Sequence, residues 1–499
     1  MKSVVVESAE VRAASSHEFL LLLTVALGAV LAPLNSTMIA VALPAITLDL
    51  GAGAAATSWL VTGYLISMAS LQPVAGRLGD RLGRRRLILG GLLGFGVASL
   101  GATLAPNLPM LIVCRVAQAI SGAVVLPNGD ALLREIIPDE RRGSRFGMIG
   151  SAIGLAAALG PVVGGLLVST AGWRAMFAVN LLLVVPALVL AWRHVPRVAA
   201  STERIVRPGF DWPGAVMLST VLVGLGLLLS RGGGLPPLML IVATGGLLVL
   251  LVGFLRRELR HPEPVVQPRF FTQPAFAAAT GAVGLSNLAM YSVLLVLPIL
   301  WAREGRPAAE VGTMLGMMAA AMVVASPVGG RLADRLGRRL PTVLGLTGMM
   351  LGALTVGLAV LAGLGAVWAV LVGLAILGAG LGLATPGMQA SALESVERQS
   401  AGAAAGAYST SRYLGSIVGS ALLAGLASTL PSGLGGTGND GVAAVFAVVV
   451  AAAGLSALLG LRLPGRRRIA LSCHPSPSGT QTATLPWWKG SSSSVLRCP

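Results

Sequence analysis

The sequence predicts an all-α polytopic membrane protein, and three observations carry that prediction. Of the 499 residues, 55% are hydrophobic and 11% are charged, with a mean hydropathy of +0.83, a balance unsuited to a soluble domain of this size. The apolar runs are each roughly 20 residues long, enough to cross the hydrocarbon as a helix and too long and too little alternating for barrel strands. Finally, Gly76-Arg-Leu-Gly-Asp80-Arg81-Leu-Gly-Arg84-Arg85 recurs as Gly330-Arg-Leu-Ala-Asp334-Arg335-Leu-Gly-Arg338-Arg339, differing only at Gly79 versus Ala333. Each copy closes one apolar run and precedes another, so the chain reads as a duplicated bundle of helices.

Taken in order, residues 1–17 hold Glu7 and Glu10 and lack a signal-peptide pattern, which makes them a cytoplasmic segment before an uncleaved first helix. About fourteen spans follow, near 18–41, 55–75, 87–106, 109–131, 147–169, 175–193, 213–230, 237–255, 276–300, 308–329, 341–362, 366–388, 403–428 and 441–462. The first six form an N-terminal half over 18–193. Residues 194–212 are polar and end in Asp211-Trp212-Pro213-Gly214, while 256–274 carry Pro262, Pro264, Pro268 and Pro274. These two linkers bracket a hairpin, so 194–275 is read as linkers plus two extra central helices. Residues 276–462 form a second six-helix half. The stretch 463–499, with Pro475, Pro477 and Ser491 to Ser494, is read as a disordered cytoplasmic tail.

The formal charge of +17 is spread over many short loops and makes no basic patch, which argues against a nucleic-acid partner and for topology. With a cytoplasmic N-terminus, the arginine-bearing loops at 77–86, 134–145, 193–207, 256–269, 331–339 and 466–468 all fall inside; Arg174, Arg231, Arg303 and Arg306 are the exceptions. Both termini are then cytoplasmic in a multi-pass protein of the cell (inner) membrane, and both copies of the repeated turn face the cytoplasm. Twelve or fourteen spans satisfy that parity and thirteen do not. Cys114, Cys473 and Cys498 show neither metal-ligand spacing nor a disulfide framework, and no cofactor is implied. No phosphate-binding loop is present and the only lysines are Lys2 and Lys489, which argues against an ATP-driven pump and against an enzyme.

The repeated turn resembles the loop signature of the major facilitator superfamily, and the likeness extends over roughly residues 18–462. Gly154 with Gly160-Pro161-Val-Val-Gly164-Gly165 in the fifth span resembles the motif of its exporters, and Arg115-Val-Ala-Gln118 in the fourth its buried Arg-x-x-Gln signature. The match is fullest with the fourteen-span drug:proton antiporter branch. That resemblance implies two six-helix halves around a midplane site, alternating access, export of drugs or amphipathic metabolites, proton exchange, and a monomer in the bilayer. It implies gating by Gly76, Asp80, Arg81 and Arg84, by Gly330, Asp334, Arg335 and Arg338, and by Gly160 and Pro161. The tight turn itself is ascribed to Gly79 and Gly83.

Buried charge points to the site. Arg115 and Arg412 lie inside spans, where a cation is expensive and should face a wet cavity or a partner. Asn35 stands where the resemblance leads one to expect an Asp, and Asn35 and Arg115 each lie about six residues, or roughly 9 Å, from the outer end of their helices, which makes them neighbours at one depth. An amide does not exchange a proton near neutral pH, so the usual acid is missing. Nearly every carboxylate lies in a loop or at a span end, and all four histidines lie outside the spans, leaving Asp130 as the candidate proton carrier. Tyr64, Gln72, Asn287, Tyr291, Met318 and Gln389 are candidate lining residues for a small amphipathic substrate. Two other readings stay open: a solute importer or facilitator of the same fold without proton coupling, and a non-transporting membrane sensor or lipid-handling protein.

Overall fold

The computed structural model describes residues 2–137, 139–196, 211–231, 235–262, 264–363, 367–396, 401–429, 439–465, 473–475 and 481–483. Among them are fourteen helices of twenty residues or more. The first group is α1 (Lys2–Asp49), the one-turn α2 (Ala54–Thr57), α3 (Trp59–Leu82), α4 (Arg84–Thr103), α5 (Leu108–Ile136), α6 (Asp139–Ala171) and α7 (Ala175–His194). A hairpin of α8 (Trp212–Arg231) and α9 (Pro237–Arg260) follows. The second group is α10 (Pro274–Arg303), α11 (Ala308–Leu336), α12 (Arg339–Leu361), α13 (Val367–Glu394), α14 (Ala401–Thr429) and α15 (Asn439–Gly460). Beyond α15 the described residues are the turn at 461–465 and an antiparallel pair of three-residue strands, Cys473–Pro475 with Gln481–Ala483; the other residues of the tail predicted to be disordered lie outside the described residues.

Helix α1 begins well before residue 18, so the predicted N-terminal segment continues the first helix. Twelve of the long helices among the described residues are apolar enough to cross a membrane by length and composition. The other two are α3 and α14. Their polarity has a structural cause, because they pack on each other and turn Thr62, Tyr64 and Gln72 on one side, and Arg412, Tyr413 and Ser420 on the other, toward that contact or the groups beside it. Helices that bury polar groups against a partner need not be apolar all round.

Within the first group α1 packs on α5, α6 and α7, and α4 on α5 and α7; within the second α10 packs on α14 and α15, and α12 and α11 on α13. The two groups meet along two lines, α6 against α11 and α3 against α14. The α8 helix lies beside the second line, against both α3 and α14, and α9 packs outward on α8. Few residues of α9 are buried, and its exposed leucines, valines and isoleucines present an apolar outer face suited to hydrocarbon.

Both repeated turns lie at the same end of the bundle, since an even number of long helices, α4 to α11, separates them. The turning residue is not shared with Gly79 as the sequence had implied. Gly83 and Gly337 hold the unusual backbone, with φ of +90° and +87°, while Gly79 is helical. Gly79 is instead a close-approach position, because a Cβ there would lie 1.7 Å from Asn128 Oδ1. Asn128 is fully buried and donates to the Ala75 and Val124 carbonyls, fixing α5 against the end of α3. Its counterpart Ala333 is also buried.

Candidate functional site

Asn35, Arg115 and Gln118 are each 0% exposed and share one hydrogen-bond network. Asn35 Nδ2 and Arg115 Nη1 both donate to Gln118 Oε1, each at 3.1 Å, and Gln118 Nε2 donates to Ser99 Oγ at 2.8 Å. Asn35 and Arg115 meet through Gln118, three residues and one turn along from Arg115, although α1 runs on to Asp49 and so sets Asn35 fourteen residues from its end, against seven from Leu108 to Arg115, and not the equal six the sequence implied. Arg115 Nε also donates to the Leu60 carbonyl at 3.1 Å, and its guanidinium lies 4.3 Å over the centre of the Tyr64 ring. A desolvated contact of that kind is worth about 2 kcal/mol. Tyr64 in turn donates to the Ala32 carbonyl at 3.3 Å. The buried cation is thus held by carbonyl oxygens and a ring face, with no carboxylate in the network among the described residues.

Across the α3–α14 contact, Gln72 Nε2 donates to the Tyr413 hydroxyl at 3.3 Å, and the half-buried Arg412 stands 5.1 Å over the Tyr413 ring. Tyr291 of α10 pairs with Ser36 of α1 and lies within electrostatic reach of Arg115, Arg412 and Tyr413. Of the predicted lining residues, Tyr64, Gln72 and Tyr291 therefore gather with Asn35, Arg115, Gln118 and Arg412 where the halves meet. Others do not join this network. The Asn287 amide donates to Val283 of its own helix, Met318 is buried with its carbonyl against Gly378 of α13, and Gln389 is exposed. Asp130 is half-buried on α5, about 22 Å along the helix from Arg115 and toward the end that bears the repeated turns.

The Gly160-Pro161 segment forms a three-helix junction. A Cβ on Gly160 would lie 1.9 Å from Thr37 Oγ1, and one on Gly164 would lie 2.9 Å from the Met38 carbonyl oxygen, both on α1. On the other face, a Cβ on Gly165 would meet the Ala308 carbonyl at 2.4 Å, and one on Gly312 the Pro161 carbonyl at 2.2 Å. The motif is thus where one half of the molecule touches the other at backbone distance. Near the same level Thr62 Oγ1 and Ser420 Oγ are 2.9 Å apart and buried, closing the α3–α14 line. Both closures lie toward the end of the bundle opposite the repeated turns.

At that far end Asp49 accepts from Trp173 Nε1 at 3.0 Å and from Arg174 Nη1 at 2.8 Å, tying α1 to the α6–α7 turn. At the other end Arg338 bridges Asp334 at 2.6 Å and Glu394 of α13 at 2.7 Å, and these bonds to Glu394 and Asp334 raise the Arg338 guanidinium further above its ordinary value, outweighing its partial burial. Arg335 is exposed, a Cβ on Gly330 would meet only the Pro386 Cβ at 3.9 Å, and Arg84 is half-buried at the start of α4. The side chains at Gly76, Asp80 and Arg81 lie outside the described residues.

Sequence reasoning passed over Ser36, Thr62, Ser99, Tyr408, Tyr413 and Ser420. A serine or threonine in an apolar run carries no local mark of its partner. The tyrosines did carry a signal, because a chain with four of them places every one within or beside a span.

A sequence profile of the Major Facilitator Superfamily matches residues 25–420 and 279–487. The uncharacterized MFS-type transporter YvkA of Bacillus subtilis is 35% identical over 410 residues, covering 82% of this chain and 90% of that protein. The tetracenomycin C resistance and export protein of Streptomyces glaucescens is 31% identical, over 81% of this chain and 74% of its own length. Among solved structures, a D-xylose-proton symporter superposes with a TM-score of 0.63 at 15% identity, covering 89% of this chain and 98% of that one, a likeness of fold alone.

Proposed function

This chain belongs to the Major Facilitator Superfamily, and from that premise we propose that it is a secondary active efflux transporter exporting drugs or amphipathic metabolites by alternating access, in exchange for protons. One observation carries the reading. The Gly160 to Gly165 segment seats α6 against α1 on one face and against α11 on the other, at the junction where the two halves must slide or part if the site is to open alternately. Export by relatives such as the tetracenomycin C protein supports the direction of traffic.

The full arrangement proposed is two six-helix halves with α8 and α9 as two extra membrane-spanning helices, fourteen spans in all, working as a monomer in the cell membrane with both termini in the cytoplasm. The substrate meets Tyr64, Gln72, Tyr291 and Arg412, with Asn287, Met318 and Gln389 lining its path. Asp334, Arg335 and Arg338, with Gly330 and their counterparts Gly76, Asp80, Arg81 and Arg84, gate the cytoplasmic end. Asp130 is the proton carrier, since Asn35 does not ionise and the Arg115 network holds no acid.

Everted membrane vesicles test this directly. Acidifying the lumen is expected to drive substrate accumulation, a protonophore to abolish it, and Asp130→Asn to remove the dependence on the gradient. Accumulation that ignores the gradient in the wild type contradicts proton exchange, and net uptake by intact cells contradicts export.

A further inference from the structure

All four tyrosines of the chain, Tyr64, Tyr291, Tyr408 and Tyr413, surround its two intramembrane arginines. Tyr64 lies under Arg115, and Arg412 has Tyr291, Tyr408 and Tyr413 within electrostatic reach. No carboxylate pairs with either arginine among the described residues; the ion pairs that are described, at Asp49, Asp211, Glu304, Glu310, Asp334 and Glu394, all lie at helix ends. Cations in a low-dielectric region without a counter-charge leave a positive potential that neutral hydrogen bonds do not cancel. Asn35, an amide, supplies no counter-charge.

Two donors in this region, Arg115 Nη2 and the Tyr408 hydroxyl, and one acceptor, Asn35 Oδ1, are buried and without a hydrogen-bond partner. The two donors call for an acceptor. Arg412 is half-buried and so remains reachable, whereas Arg115 is enclosed and acts through its field. Aromatic side chains offer flat apolar faces and guanidinium groups offer planar donors. We propose that this region is a binding site for planar aromatic anions, with Arg412 pairing the acid group and the half-buried Tyr413 beside it packing against the ring system. The inference deepens the export function proposed above, and rests on it only for what the binding serves.

The test is a binding measurement on the purified full-length protein in lipid nanodiscs at pH 7, using three probes that share one ring system: anthraquinone-2-carboxylate, its neutral carboxamide, and a trimethylammonium-methyl derivative. The wild type is expected to bind the carboxylate at least about tenfold more tightly than either of the others. Arg412→Gln is expected to bring the carboxylate-to-carboxamide affinity ratio down to about one, with an unchanged melting temperature in the nanodisc as the control for folding. Asn35→Asp, nearly isosteric, is expected to reverse the order in favour of the cation. The inference is overturned if the wild type binds the three probes alike, prefers the cation, or binds none of them, or if the carboxylate preference survives Arg412→Gln. A preserved carboxylate preference without vesicle transport would remove the export reading and leave the anion site standing.

Discussion

Gly312 and Gly165 leave no room for a methyl group, and each would drive it into a backbone oxygen of the opposite half, which is unable to rotate away. Gly312→Ala is therefore expected to cost about 1–3 kcal/mol, the usual range for overpacking, and to impair efflux, read as a lower melting temperature in detergent and slower dye or drug extrusion. Gly245→Ala is the control, because a Cβ there meets nothing within 4 Å; it should leave transport unchanged and stability equal or higher. Much at this scale was legible beforehand. The family resemblance singled out the Gly160 to Gly165 glycines and Arg115 with Gln118, and the sequence named Asn35 as the neighbour of Arg115, though from helix ends that α1 does not keep. What spacing does not reveal is a partner distant in the chain: Asn128, not the turn, explains Gly79, and Glu394 completes the Asp334–Arg338 pair from a different helix.

The α8–α9 hairpin is held at its base by Asp211. Its carboxylate accepts from the Gly214 amide at 2.8 Å, capping α8, and from Arg257 Nε at 2.8 Å near the end of α9. Glu258, also buried, accepts from the Val266 amide at 2.7 Å and fixes the chain as it leaves. Loss of the cap in Asp211→Ala is expected to destabilise the first turn of α8 by about 1 kcal/mol, visible as faster amide exchange at Gly214 after correction for intrinsic rates. Burial alone would raise the Asp211 carboxyl, but the Arg257 and Gly214 hydrogen bonds outweigh it and hold the group below the ordinary carboxylate range. A depressed folded-state value means the contribution is complete above the unfolded value, near 3.9, and is lost as pH falls through the lower folded one. Gly214 protection should thus be flat from neutral pH to about pH 5 and fall only in stronger acid. The sequence marked Asp211-Trp212-Pro213-Gly214 as the end of a linker, yet the ion pair to Arg257 needs the chain to return across two helices, which no periodicity announces.

At the scale of the whole molecule, the duplicated turn and the two contact lines belong to one design. Each half is a compact bundle, and the halves touch along α6–α11 and α3–α14, with the buried site between them. Toward the end opposite the repeated turns both lines are closed, by the glycine junction and by Thr62 with Ser420. If the halves alternate, these two residues must separate once in every cycle. The most direct measurement is a disulfide trap: Thr62→Cys with Ser420→Cys, in a background where Cys114, Cys473 and Cys498 are replaced by serine or alanine, oxidised in native membranes. The expected result is a cross-link that stops efflux and a full return of efflux on reduction, while either single cysteine variant transports normally; efflux continuing at an undiminished rate through a fully cross-linked protein would contradict alternating access in this chain.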